Sequence, residues 1–271
     1  MLGGRGRAPY MAPTMHGRRS DLQPIGWRHQ AAIGLGLAAL VFAGWLSLHI
    51  YAMFVFELTW RTLPMALVMA TVQCWLSVGL FIISHDAMHG SLVPGGKRIN
   101  GLIGGSLLFL YAGFVWPKMR SAHFDHHRHA GRAGDPDFDE HHPTAFWRWY
   151  ATFIQRYFGW SSLLFVHAVV AVYWLVFAVP VAQIVLLYGI PAILSSLQLF
   201  YFGTWRPHNH RHGVFADHHN ARSETFGTLA SLATCFHFGY HHEHHLAPNV
   251  PWWRLPAHRR GQAQNTEKQP A

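Results

Sequence analysis

Charge, acidic residues and cysteine are all scarce in this 271-residue chain, and each shortage closes off a class of function. Charged residues make up 12% of it, against the quarter usual for soluble proteins, while 51% is hydrophobic and 15% aromatic. The two cysteines, Cys74 and Cys235, fall in no Cys-x-x-Cys pair. That excludes a disulfide framework and a thiolate zinc site, and predicts two buried free thiols. Five glutamates occur, none followed three residues later by histidine, so the glutamate-built four-helix carboxylate centre is excluded as well. No G-x-G-x-x-G fingerprint is present, so nothing in the chain points to a dinucleotide-binding unit. Residues 1–29 are rich in Arg, Gly and Pro without an apolar core; they read as a disordered basic arm with no cleavable signal peptide.

What replaces the missing charge is long apolar runs. Residues 62–84 are 23 positions without a charge and residues 157–205 are 49, with a further apolar run at 31–56. A helix of about 20 apolar residues crosses about 30 Å of hydrocarbon, so the longest run holds two spans, turning between Pro180 and Pro191. The expected fold is an all-α integral membrane protein with four transmembrane helices over 30–256, followed by a disordered tail from 257 to 271. Residues 99–117 also lack charge, but a crossing there would put histidine clusters on opposite sides of the membrane. Gly101, Gly104, Gly105 and Gly113 weaken that segment as a lone helix in lipid, and it reads as a short re-entrant or interfacial helix packed on protein.

The net charge of +9 could point to nucleic acid, but the placement of the basic residues argues against it. Of 21 Lys and Arg, five precede the first span, eight lie from Lys97 to Arg156, seven follow the fourth span, and Arg61 alone lies between spans one and two. With both termini cytoplasmic, twenty of them obey the positive-inside rule. Topology accounts for the basicity, and no nucleic-acid partner is expected.

Histidine is the abundant chemical residue, 23 in all. His85 and His89 are spaced i, i+4 at the end of the second run, one face of a helix. His123, His126 and His127 repeat the spacing of His241, His244 and His245, each a His-x-x-His-His that falls on one side of a helix. A single His-x-x-x-His carries little weight, but two identical triples outside the membrane carry much more. Eight imidazoles exceed one tetrahedral zinc and suit two metals with open positions; neutral imidazole binds iron and zinc alike. Carboxylates within the clusters, Asp86, Asp125 and Glu243, are expected to orient the rings, with Asp135 and Asp137 of GDPDF as weaker candidates. His49 and His167 lie in spans, where a bond to a neighbouring helix is the simpler expectation than a bis-histidine haem. His141, His142 and His258 read as surface residues. A metal transporter is disfavoured because its ion would sit near the midplane, whereas these clusters lie past the ends of spans.

The phrases HDAMHG, HFDHHRHAG with GDPDF, and HHEHHLAP resemble the three histidine boxes of the membrane-bound fatty acid desaturase and hydroxylase superfamily. Within it, WLSVGLFIISHDAMHGSLVPG, LYAGFVWPKM, FGTWRPH, HNARS and CFHFGYHHEHHLAPNVPWWRLP are similar to the bacterial-type beta-carotene ketolases, over roughly residues 30–256. The resemblance implies a cytoplasmic helical cap carrying a di-iron site in the bacterial inner membrane. It implies His85, His89, His123, His126, His127, His241, His244 and His245 as iron ligands, with His208 as a ninth and His219 as the alternative. His237 or His242 in the third box, and His129 in the second, are alternative registers. It further implies O2 as co-substrate, an external electron carrier such as reduced ferredoxin, and oxidation of carbon 4 of a beta-ionone ring to a ketone by two hydroxylations and loss of water. Carotenoid hydroxylase and acyl-lipid desaturase activities are the alternatives within the superfamily. Trp75, Phe81, Phe109, Tyr111, Phe114, Phe200 and Tyr201 are available to line a substrate tunnel, and Trp252, Trp253 and Arg254 suit an interfacial anchor.

Overall fold

The computed structural model describes residues 25–267, and among them it is helical without a strand. Three helices are long and apolar enough to cross a membrane: α1 (Trp27–Phe54), α2 (Leu63–His89) and the later α7 (Val181–His208). At about 1.5 Å per residue each exceeds about 30 Å. α2 is the centre of the bundle: 67% of its most apolar window is buried, against 28% for α1 and 33% for α7. Its Leu80, Ile82 and Ile83 meet Phe236 and Phe238 in the main core. Burial on all sides is what an all-round apolar helix requires.

Between α2 and α7 lie two sharply bent pairs. α3 (Lys97–Ala112) and α4 (Trp116–His129) meet at 98°, and α5 (Phe146–Tyr157) and α6 (Trp160–Val176) at 87°. α3 ends at Gly113, whose φ of +67° and contact with the Phe165 Cβ, 2.5 Å from any added Cβ, leave room for glycine alone. The chain then turns back, so that His123 on α4 touches His89 at the end of α2. The α3–α4 pair thus starts and finishes beside the same end of α2. Its glycines serve packing: a Cβ on Gly104 would stand 2.5 Å from the Trp116 ring and 2.8 Å from the Ala87 Cβ. Gly104→Ala is expected to cost about 1–3 kcal/mol through overpacking, read as a lower melting temperature of the detergent-purified protein; an unchanged melt would contradict this packing.

The turn inside the 49-residue uncharged run comes earlier than the prolines suggest. Helix α6 ends at Val176, Ala178 takes φ +53°, and α7 begins directly after Pro180. Pro191 lies within α7. Proline lacks an N–H and crowds the carbonyl four residues back, and a widened π turn at Val185–Gly189 absorbs the misfit just before it. A second such turn, Tyr201–Trp205, precedes Pro207.

Short helices α8 (Thr228–Cys235) and α9 (His241–Leu246) follow, and α10 (Leu255–Glu267) closes the described chain. Within α10, His258, read as a surface residue, is buried at 3% exposure, and Arg259 donates to the Glu224 carbonyl. Trp252, read as an interfacial anchor, is likewise buried, edge-on to Phe236. Of the basic arm expected over 1–29, residues 1–24 lie outside the described residues, and Trp27–His29 begin α1. Cys74 and Cys235 are buried free thiols, as expected.

Candidate metal centre

The end of α2, the second half of α4, the end of α7 and the short α9 converge on one spot. They bring nine histidines into two cages in which the ring nitrogens lie within 4.8 Å of one another. His85, His89, His123, His127 and His244 form one; His126, His208, His241 and His245 form the other. The helical spacing explains the division. On α4 the i, i+4 pair His123 and His127 faces the first cage while His126 turns to the second. On α9 the pair His241 and His245 faces the second cage while His244 turns to the first. Each triple thus grips both cages.

Within the cages Nε2 meets Nε2. His89 and His123 are 2.7 Å apart, His123 and His127 3.2 Å, and His127 and His244 3.1 Å. In the second cage His241 stands 3.0 Å from both His208 and His245. Two rings there are fixed from behind. His126 Nδ1 donates to both Asp135 oxygens at 3.0 Å, and His208 Nδ1 donates to the Asn220 carbonyl at 2.7 Å. With Nδ1 holding the proton, a neutral ring presents the Nε2 lone pair to the cage. His85 Nε2 and His126 Nε2 are buried without a partner. Lone pairs facing one another away from water are stabilised by a cation between them. Donors around an ion at about 2.1 Å lie at most about 4.2 Å apart, close to the spacing seen, so the residues fit a metal in each cage.

For five of the rings the protonation states agree. His123, His127, His241, His244 and His245 are held well below the ordinary imidazole range, first by burial and then by neighbouring imidazoles. For His126 burial acts the same way, but the Asp135 and Asp137 carboxylates outweigh it and push the metal-free ring up to about 9. Burial also pushes Asp137 up to about 6. The lowered rings favour the fold above their unfolded value of about 6.5 and lose that contribution as pH falls. His126 has the opposite sign, favouring the fold below about 6.5 and ceasing to do so as pH rises through its folded value. Since ligating rings must be neutral, metal is expected to stay bound through about pH 6.5 and to leave further down. Metal analysis after dialysis across that range checks this; quantitative release already near pH 6.5 would contradict it.

The carboxylates sort differently from their sequence neighbours. Asp135, the weaker candidate, is the residue that holds a cage ring, while also accepting the Gly131 and Asp137 N–H groups at 2.8 Å each. Asp86 is buried with Oδ1 3.9 Å from His85 Nδ1, and Oδ2 accepts the Trp252 N–H at 3.1 Å. Asp125 is not brought to any cage ring, since its carboxylate bonds Arg128 at the surface. Glu243 is buried but turned to the Ser223 hydroxyl and to Arg259, 3.6 Å away. The alternative histidines stay outside: His129 bonds the Asp125 carbonyl, His242 bonds Asp217, and His237 stacks on Tyr240. His219 comes within 6.0 Å of the His245 ring but joins neither cage. His49 bonds the Tyr173 hydroxyl at 2.6 Å, and His167 bonds a carbonyl of its own helix, so neither is arranged as a haem ligand. His141 is exposed, and His142 lies beside Arg148.

A small, mainly apolar cavity of about 50 Å³ lies against both cages, touching His85 and His123 of the first and His126 and His241 of the second. Phe81, Met119, Phe153 and Phe238 supply apolar walls, while Asp137, Tyr157 and Thr204 are its polar members. Of the seven aromatics expected around a tunnel, Phe81 lines this cavity. Trp75 instead stacks on Phe236, Phe109 is exposed, and Phe200 is buried among Tyr150, Phe153 and Phe146. The Tyr157 hydroxyl bonds Asp137, a pair the sequence does not announce.

Comparison with known proteins agrees with this architecture. The fatty acid desaturase family model matches residues 58–169 and 141–270. Two beta-carotene ketolases from Paracoccus species, strains PC1 and N81106, are 49% and 50% identical over 229 residues, 84% of this chain and 93% of each relative. A zeaxanthin 4-ketolase from Chlamydomonas reinhardtii is 34% identical over 82% of this chain and 52% of its own length. With matches along nearly its whole length and nine histidines caged as described, the chain belongs to the fatty acid desaturase family, in the group of the beta-carotene ketolases.

Proposed function

We propose that the chain is a beta-carotene 4-ketolase: a di-iron, O2-dependent oxygenase that converts carbon 4 of beta-ionone rings to a ketone, giving echinenone and canthaxanthin. The observation that carries this is half-identity to two ketolases over 229 residues. Chain and relatives are alike in length over that match, so the likeness extends to the whole enzyme. The algal relative's name supports action on 3-hydroxylated rings, zeaxanthin to astaxanthin. Hydroxylase and desaturase activities would suit the same cages, and it is the identity that favours ketolation.

No side chain can take hydrogen from a ring methylene, and iron held by the nine histidines would supply that oxidising power from dioxygen. The protein's own contribution is placement. Asp135 and the Asn220 carbonyl fix the tautomers of His126 and His208, and Phe81, Phe153, Met119 and Phe238 keep water from the oxidising face. The cavity as it stands, about 50 Å³, has room for a molecule the size of dioxygen and is far below the 300 Å³ or more of a small-ligand pocket. A substrate ring therefore enters only if side chains that line the cavity move. After two hydroxylations the geminal diol loses water.

α1, α2, α6 and α7 are the four spans, α6 being about 25 Å long by helical rise and the α3–α4 pair returning to the side it left. Both termini and the metal site then face the cytoplasm of the bacterial inner membrane, in line with the distribution of basic residues. An electron carrier such as reduced ferredoxin serves the site from that side. Expression in a beta-carotene-producing host tests the activity: red ketocarotenoids are expected. Yellow hydroxylated carotenoids, or new unsaturated acyl chains, would overturn the reading.

A further inference from the structure

The two cages differ in their access to solvent. All four rings of the second are buried, whereas His89, His123 and His127 of the first are half-buried. Outside the first cage lie two adjoining depressions of about 570 and 520 Å³ that share Trp116 and Arg120. His89 is part of the larger one. Its ring meets Phe124 edge-on at 5.4 Å, the Arg120 guanidinium lies 4.6 Å over that same phenyl, and Arg120 Nε donates to the Met88 carbonyl beside His89. Lys97 and Arg128, the latter paired with Asp125, complete the charged lining, and among the described residues no carboxylate lines either depression.

Ketone formation makes a matching demand. Each hydroxylation inserts one oxygen atom of O2 into a C–H bond and reduces the other to water, consuming two electrons and two protons; one ketone therefore takes four electrons from outside. On the ketolase reading, we infer that this basic groove between the end of α2, the start of α3 and α4 is the docking site of an acidic one-electron carrier of the ferredoxin class, with electrons entering through His89. A lipid phosphate would be satisfied by the cations alone. The groove adds aromatic walls at Trp116 and Phe124 and a half-buried cage ring at its floor, which suit a redox protein.

The test uses the full chain in neutral-lipid nanodiscs loaded with beta-carotene, driven either by an acidic [2Fe–2S] ferredoxin with its reductase or by reduced methyl viologen. In the double variant Lys97→Glu, Arg120→Gln the glutamine retains a donor towards Met88. The ferredoxin concentration for half-maximal rate is expected to rise about tenfold, to depend less on salt than in wild type, and to leave the viologen-driven rate unchanged. An unchanged ferredoxin requirement overturns the inference, as does an equal loss with both donors, which would mark a structural role. So does an effect that appears only with anionic lipid, which would make the groove a headgroup site. Absence of ketone from wild type with either donor would instead remove the ketolase reading, and the groove's role with it.

Discussion

His244→Ala and His126→Ala, one from each cage, are each expected to lower ketone formation by more than about a hundredfold, the upper end of what losing a mere partner of a ligand costs. The two substitutions should do so separably. His244 belongs to the five-ring cage and His126 to the four-ring cage, so each variant should retain about one iron in place of two. Insertion should be unaffected, because neither residue lies in the long apolar helices α1, α2 or α7. Metal analysis of the purified variants beside product analysis in the carotene-producing host checks both halves. Undiminished ketone from either variant would break the proposed ligand set, and loss of both metals from each would mean that the cages are not separable.

Asp135→Asn carries the second large effect, without removing any donor nitrogen. The carboxylate fixes His126 through Nδ1 and ties the 131–137 loop by accepting two backbone N–H groups. A neutral amide cannot match it as an acceptor for all three, and ring orientation and basicity both suffer. Metal affinity or activity should drop about 10- to 100-fold, measurable as the chelator concentration that strips half the metal. Asp125→Asn is the contrast, since that carboxylate only pairs with Arg128 at the surface; its effect on stability should stay within about 0.5 kcal/mol. Equal losses in the two variants would deny Asp135 its special place.

Why Asp135 was legible only as a weaker candidate, behind Asp125, is a matter of helical geometry. Asp125 shares α4 with the cage histidines, but a helix turns by about 100° per residue and carries it to the solvent side. Asp135 is nine residues from His126 in a loop, where no periodicity announces a contact. The i, i+3, i+4 pattern marks eight of the cage histidines, because on a helix those positions share a side, and His208 is implied by family likeness. What the pattern could not show is that each triple divides between two cages, which depends on how α4 and α9 face one another. The apolar runs marked the long helices for the same kind of reason: in hydrocarbon the backbone must satisfy itself, and a continuous uncharged stretch has few alternatives. Turn positions were less legible. Pro191 looked like a breaker, yet a π turn upstream accommodates it, and the two right-angled bends rest on contacts such as Gly104 with Trp116 that sequence spacing does not encode.

Metal stoichiometry of catalytically active protein tests the central claim most directly. Purified under conditions that preserve ketone formation, the chain is expected to carry two irons, lost together with activity on chelation and restored together on adding ferrous iron. A fully active preparation with one metal per chain, or with zinc in place of iron, would contradict the account.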